Sequence, residues 1–247
     1  MFKKVAAFAV VTSFGALLLT TNQASAEITK AKSYITIDDA TEDDYTLDFY
    51  GVTYNNVANN SLYTEIGLYK GTKFLGTWDG SVRADGDYTE DHGSKVKWKV
   101  LTDHYEYKGN TSKIDDFAQT NDTVTYNPAD WQTRSQKKDE VETKEAKEED
   151  VQFKNSALKV AKSIEKDTGI DLSDYQSIDK RKVFEMDADL FQEVDELTSM
   201  RNLQVGDEMP QIYLHETGQK LYVLKQSADG VSSATAFVLD NGEWEKE

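Results

Sequence analysis

The chain has 247 residues, with 28 basic and 45 acidic side chains, a net charge of −17, and no cysteine. That charge repels nucleic-acid phosphates and anionic lipid headgroups, which excludes nucleic acid as a partner and leaves cationic ones open. Lack of cysteine excludes disulfide staples and a lipid-anchoring thiol, so burial alone must hold a fold that is 38% hydrophobic and 11% aromatic.

Lys3 and Lys4 precede an apolar run from Val5 to Thr20, and Ala24-Ser25-Ala26 is a small-x-small cleavage site. This pattern predicts a secretory signal peptide over 1–26. The run is too short, and its flanks are wrong, for a membrane span. Cleavage removes two lysines and no acid, leaving 221 residues at a net charge of −19. The segment from Asp240 to Glu247 carries no hydrophobic tail or sorting signal. The expectation is a secreted, extracellular protein of Gram-positive type, released or held at the wall non-covalently.

Residues 27–131 read as all-β. Tyr45 to Tyr54 alternates as a half-buried strand does, and Leu62 to Tyr69 is a second strand candidate. Lys70-Gly71 predicts a tight turn into Lys73–Trp78. Asp79-Gly80 predicts another, and Ala84-Asp85-Gly86-Asp87 repeats that turn chemistry. Lys95 to Leu101 alternates cleanly and places Val96, Trp98 and Val100 on one face. Thr123 to Tyr126 is the last strand, stopped by Asn127-Pro128. About seven short strands in roughly 100 residues fit an antiparallel β-sandwich.

Several phrases follow in order: Asp38-Asp39, Gly67-Leu68-Tyr69-Lys70-Gly71, Val82-x-Ala84-Asp85-Gly86-Asp87-Tyr88-Thr89, then Thr102-Asp103 and Gly109-Asn110-Thr111-Ser112. This stretch resembles the bacterial immunoglobulin-like modules of Gram-positive adhesins and wall proteins. The spacer between Asp103 and Gly109 is longer than in those modules, and there is no tandem repeat. The resemblance covers under half of the mature chain. It implies a sandwich with a binding or spacer role.

Residues 132–150 read as a charged linker: eleven of the fourteen residues from Lys137 to Asp150 are charged. Residues 151–247 read as a small α+β domain. Phe153, Ala157, Val160, Ala161 and Ile164 share one helical face, with Gly169 as the stop. Leu190, Phe191, Val194 and Leu197 predict a second helix. Ile212–Leu214, Leu221–Leu224 and Thr235–Leu239, separated by Thr217-Gly218 and Asp229-Gly230, predict a β-meander.

Catalytic signals are sparse. No serine sits in a G-x-S-x-G elbow. His92, His104 and His215 fit no compact metal motif and read as surface or turn residues. In Asp91-His92 and Asp103-His104 the two side chains of an extended strand point to opposite faces, so adjacency is not a catalytic pair. Asp38-Asp39 with Glu42-Asp43-Asp44, and Asp85 and Asp87 with Glu90-Asp91, are oxygen-rich turn clusters. They read as solvated loop tips or as a weak calcium site of about 10⁻⁴–10⁻³ M. Tyr105 and Tyr107, with Trp78, Trp98 and Trp131, read as core or as a sugar-stacking platform. No catalytic, cofactor-binding or metal residue is assigned, and no cofactor is expected.

The sequence therefore predicts a mainly β protein with an α+β part. It comprises an immunoglobulin-like sandwich over 27–131, a linker over 132–150 and an α+β domain over 151–247. The expected role is non-enzymatic binding to an extracellular polymer, the cell wall or a protein partner. The alternative is a secreted hydrolase, or a hydrolase inhibitor, working through carboxylates.

Overall fold

A computed structural model describes residues 27–40, 44–57, 59–109, 111–128 and 142–247, with side chains for all of these except 38–40 and 142–154. The expected signal peptide 1–26, Trp131 and most of the expected linker lie outside the described residues.

The N-terminal half contains strands β1 (Ile28–Ala40), β2 (Asp44–Asn55), β3 (Ser61–Lys70), β4 (Lys73–Gly80), β5 (Arg83–Asp91), β6 (Val96–Tyr107) and β7 (Ile114–Tyr126). They form two antiparallel sheets, ordered β1-β2-β5 and β4-β3-β6-β7. Alternation decides what each strand buries. Tyr45, Leu47 and Phe49 of β2 face Ile66, Leu68, Trp98 and Val100 of the other sheet. Trp98 is fully buried, and its indole N–H donates to the Tyr45 hydroxyl at 3.1 Å. Tyr45 in turn stacks on Tyr126 with ring centroids 3.9 Å apart. The predicted turn at Lys70-Gly71 forms, with Gly71 at φ 61°.

One expected turn is not a turn. Asp85, Gly86 and Asp87 lie inside β5, paired with Tyr50, Phe49 and Asp48 of β2. The glycine there serves close packing: a Cβ on Gly86 would sit 2.7 Å from the Trp78 indole nitrogen. Asp-Gly in a strand and Asp-Gly in a hairpin look alike in sequence.

The C-terminal half begins with α1 (Glu142–Thr168), which runs back into the expected linker. It stops where predicted, with Gly169 at φ 74° donating its N–H to the Glu165 carbonyl. Next come β8 (Tyr175–Ile178), α2 (Lys180–Met186), α3 (Ala188–Thr198) and a 3₁₀ turn (Met200–Asn202). Asp187 caps α3 by accepting from the backbone N–H groups of Asp189 and Leu190. The meander has five strands in the order β12-β11-β10-β9-β8, with β9 (Gln211–His215), β10 (Lys220–Gln226), β11 (Ser232–Asp240) and β12 (Glu243–Lys246). Its predicted strands are the central three. The edges β8 and β12 are four residues each and too short to show a period. Tyr213 and Leu224 face Ala161 and Ile164 of α1. The opposite face, with Ile212, Leu214, Leu221 and Val223, meets α2 and α3.

The two halves share one core. Tyr105 of β6 and Phe117 of β7, on the outer face of the four-stranded sheet, join Val183, Phe191, Val194 and the meander in a single buried cluster. Tyr69 and Phe74 likewise pack on Met200 and Leu203. Backbone bonds cross as well: the Phe74 N–H donates to the Asp207 carbonyl at 2.8 Å, and the Gly206 N–H donates to the Phe74 carbonyl at 2.8 Å. Proteolysis between Lys137 and Lys147 should therefore leave two fragments that stay together through gel filtration and part only in denaturant. Fragments that separate in native buffer, each with a cooperative melt of its own, would contradict the shared core.

Candidate functional site

Three polar constellations stand out, and β6 positions two of them. Its odd-numbered residues face the C-terminal half, and its even-numbered ones face the core between the sheets. The expected divergence of Asp103 and His104 is thus realised in space.

The first constellation is inside the sandwich. His104 is fully buried, which corrects its reading as a surface or turn histidine. The alternation of β6 forces it inward. Its Nδ1 pairs with the Thr53 hydroxyl at 2.7 Å and its Nε2 with the Thr120 hydroxyl at 2.7 Å. Thr53 continues to Thr64 at 2.6 Å, and Thr120 to Ser33 at 2.6 Å. Hydroxyls satisfy a neutral ring without offering a counter-charge. Burial accordingly lowers the His104 pKa from 6.5 to about 4. The unfolded chain takes up this proton first as pH falls. The His104 contribution to stability is full above pH 6.5, declines between 6.5 and 4, and is lower by about 3 kcal/mol below that. An NMR titration of the His104 ring should give a midpoint near 4, and a midpoint near 6.5 would contradict the buried neutral ring. His92 instead meets the Tyr126 hydroxyl at 2.5 Å, and His215 sits near the end of β9 against the Thr217 hydroxyl at 2.8 Å.

The second constellation lies between the halves. The Lys180 ammonium, at the start of α2, bonds Asp103 at 2.6 Å and Asp195 of α3 at 2.5 Å. The Tyr105 hydroxyl donates to Asp195 at 2.8 Å, and the Gln119 amide donates to Asp103 at 2.6 Å. Burial opposes the charge on Lys180, but the two carboxylates outweigh it and hold the pKa above the ordinary lysine value. Nearby, buried Glu65 accepts from the Ser199 hydroxyl at 3.1 Å and from the Arg201 backbone N–H at 3.0 Å. Its pKa is raised by burial and by Asp103, against the pull of Arg201 and Lys180. Arg181 adds an ion pair to Asp116 at 2.7 Å. Glu65, Asp103 and Asp116 come from the first half, and Lys180, Arg181 and Arg201 from the second. The charges are complementary across the joint.

The third constellation is exposed, on the outer face of β1-β2-β5. Lys30, Lys32 and Tyr34 of β1 stand beside Tyr54, Val52 and Tyr50 of β2, with Arg83 of β5 next to Val52. Tyr34 and Tyr50 stack at 5.0 Å, and the Arg83 guanidinium lies 4.3 Å over the Tyr50 ring. The Lys30 ammonium lies 5.2 Å from the Tyr54 ring. Tyr34 and Tyr54 remain 43% and 45% exposed, which makes them accessible anchors. Nothing in the sequence separated these tyrosines from core ones except their alternation with Phe49 and Gly51.

The nominated aromatic platform does not assemble. Tyr105 and Trp98 are fully buried, on opposite faces of β6, and Trp78 packs edge-on to Phe49 at 4.6 Å. Of the acidic clusters, 42–43 lie outside the described residues, as do the side chains of Asp38 and Asp39. Asp85 is engaged by Arg83 at 3.2 Å. Among the described residues, no group of three or more histidine, aspartate or glutamate side chains is placed to hold a metal ion, and no helix is long and apolar enough to cross a membrane. No family model matches the chain, and no curated protein or solved structure matches it.

Proposed function

We propose that this is a secreted, non-enzymatic interaction protein acting at the cell surface or in the extracellular matrix. The observation that carries the reading is the exposed Tyr34–Tyr50–Arg83 stack with Lys30 and Tyr54 beside it. Tyrosine and arginine are among the side chains that interfaces favour: tyrosine brings a large contact area at low entropy cost, and arginine brings a planar charged group that stacks on rings and donates several hydrogen bonds. Two further observations support it. The signal-like segment 1–26 directs the chain outward. The sheets β1-β2-β5 and β4-β3-β6-β7 follow the order of an immunoglobulin constant-type sandwich, except that the fourth strand pairs with the third. That order agrees with an immunoglobulin-like module. The hydrolase alternative gains little, because Asp103 and Asp195, the carboxylates facing each other across the joint, share one buried ammonium.

The test is retention of the mature protein, 27–247, on whole cells, purified wall and secreted polymer. The expected result is saturable retention on one of the three, with the retaining material chemically unchanged afterwards. Quantitative recovery of the protein in the wash from all three, or turnover of the polymer, would overturn the proposal.

A further inference from the structure

The outer face of β1-β2-β5 is polarised along its strands. Its outward side chains stand in rows about 7 Å apart, because every second residue of a strand points the same way. In the Val52 row, Lys32 of β1 and Arg83 of β5 flank β2. Tyr34 and Asp85 flank Tyr50 in the next row, and Thr36 and Asp87 flank Asp48 in the row after that. Lys30 stands beside Tyr54 at one end of the face, and Asp44 beside Asp91 at the other. Cations thus occupy one end, stacked tyrosines the middle and aspartates the other end. The aspartate end carries a cost. Asp48 lies directly opposite Asp87, and Asp44 directly opposite Asp91, and like charges so placed destabilise a sheet. Cations brought from outside relieve that repulsion.

We propose that this face pairs two copies of the chain into a weak, two-fold symmetric dimer. The inference rests on the reading of the face as an interaction surface and names a partner for it. A two-fold axis between the facing sheets, lying across the strands at the level of the Tyr50 row, reverses the order of the rows. Arg83 of one copy then stands over Asp87 of the second copy, and Lys32 stands near Asp48 of the second copy. Each contact occurs twice. Arg83 spends its Nε on Asp85, and its guanidinium has further N–H donors for the second copy. Asp85, which falls nearest its own image, is neutralised by that same arginine. The Tyr34–Tyr50 stack, with centroids 5.0 Å apart, meets its own image on the axis and supplies the apolar centre that interfaces hold inside a polar rim. Polarity selects this occupant. A polymer of one charge sign meets its own sign at one end of the face, whereas a second copy turned end for end meets the opposite sign at both. Size sets the strength: six rows across three strands cover about 500 Å² a side, or about 1,000 Å² in total, the lower limit for a specific interface. Each mature copy carries a net charge of −19, so the copies repel at long range. Salt at about 0.15 M, with a Debye length of about 8 Å, screens that repulsion more than the contact pairs, and about 1 M salt weakens the pairs too. Dimer and extracellular partner share one face, so the monomer is the form that the partner binds.

Sedimentation of the mature protein, 27–247, tests the inference. At about 50 μM protein the dimer should be present in about 0.15 M salt, and its dissociation constant should rise about tenfold in about 1 M salt. Lys32→Glu with Arg83→Glu should give a monomer, and so should Asp48→Lys with Asp87→Lys. Both variants should melt as cooperatively as the parent, so that a lost dimer is not a lost fold. An equimolar mixture of the two should restore a dimer of one copy each, because every charge on the face then meets its opposite. A monomeric parent, a dimer that salt does not weaken, a dimer that survives either reversal, or a mixture that stays monomeric would overturn the proposal. A parent that is monomeric yet retained on an extracellular fraction overturns the dimer alone and leaves the reading of the face intact. A parent neither dimeric nor retained overturns both.

Discussion

Lys180→Met should lower stability by about 3–5 kcal/mol, the usual cost of removing one partner from a buried ion pair. The lysine side chain is 5% exposed and bonds Asp103 and Asp195 at once. Methionine fills the space but leaves two carboxylates facing each other with their counter-charge gone. Tyr105 and Gln119 continue to donate to them, which offsets only part of the repulsion. The triple variant Lys180→Met, Asp103→Asn, Asp195→Asn should recover most of the loss, because neutral amides keep the hydrogen bonds without the charge. Urea melts decide the matter. A loss below about 1 kcal/mol for the single variant would mean that water reaches the cluster and the joint is not closed.

Trp98→Ala should cost about 3–5 kcal/mol as well, but for a different reason. It opens a cavity in the core between the sheets and strips the Tyr45 hydroxyl of its indole donor. Trp98→Phe keeps most of the apolar contact and loses chiefly that hydrogen bond, so about 1 kcal/mol is expected. The two effects are far apart in the fold and should add. A shift below about 1 kcal/mol for Trp98→Ala would remove Trp98 from the core.

Much of the fold was legible because alternation is local. Val96, Trp98 and Val100 announced their face, and Leu190, Phe191 and Val194 announced theirs. Gly71 and Gly169 ended elements where a positive φ is needed. The errors share a cause: a residue type used for a purpose only the third dimension reveals. Gly86 reads as a turn but makes room for Trp78. His104 reads as surface because histidine usually is, yet four hydroxyl-bearing side chains from β1, β2, β3 and β7 complete its network. Lys180 and Asp103 are 77 positions apart, and no window along the chain relates them. The joint between the halves was therefore invisible in the sequence. A linker with almost no apolar residues says nothing about what the flanking parts do to each other, and here they meet through Tyr105 and Phe117 instead. The exposed tyrosines were hidden for the opposite reason. Tyr34, Tyr50 and Tyr54 have the same composition signature as core tyrosines, and strand register alone sorts them.

The proposed binding surface is the outer face of β1-β2-β5. The most direct measurement is retention of the double variant Tyr50→Ala, Arg83→Ala on whichever extracellular fraction holds the parent protein. Both side chains lie on the solvent side of the sheet, so the melt should move by less than about 1 kcal/mol. Retention should weaken by at least about thirtyfold, as for loss of a central aromatic–arginine anchor. Unchanged retention with an unchanged melt would contradict the claim and place the binding surface elsewhere on the molecule.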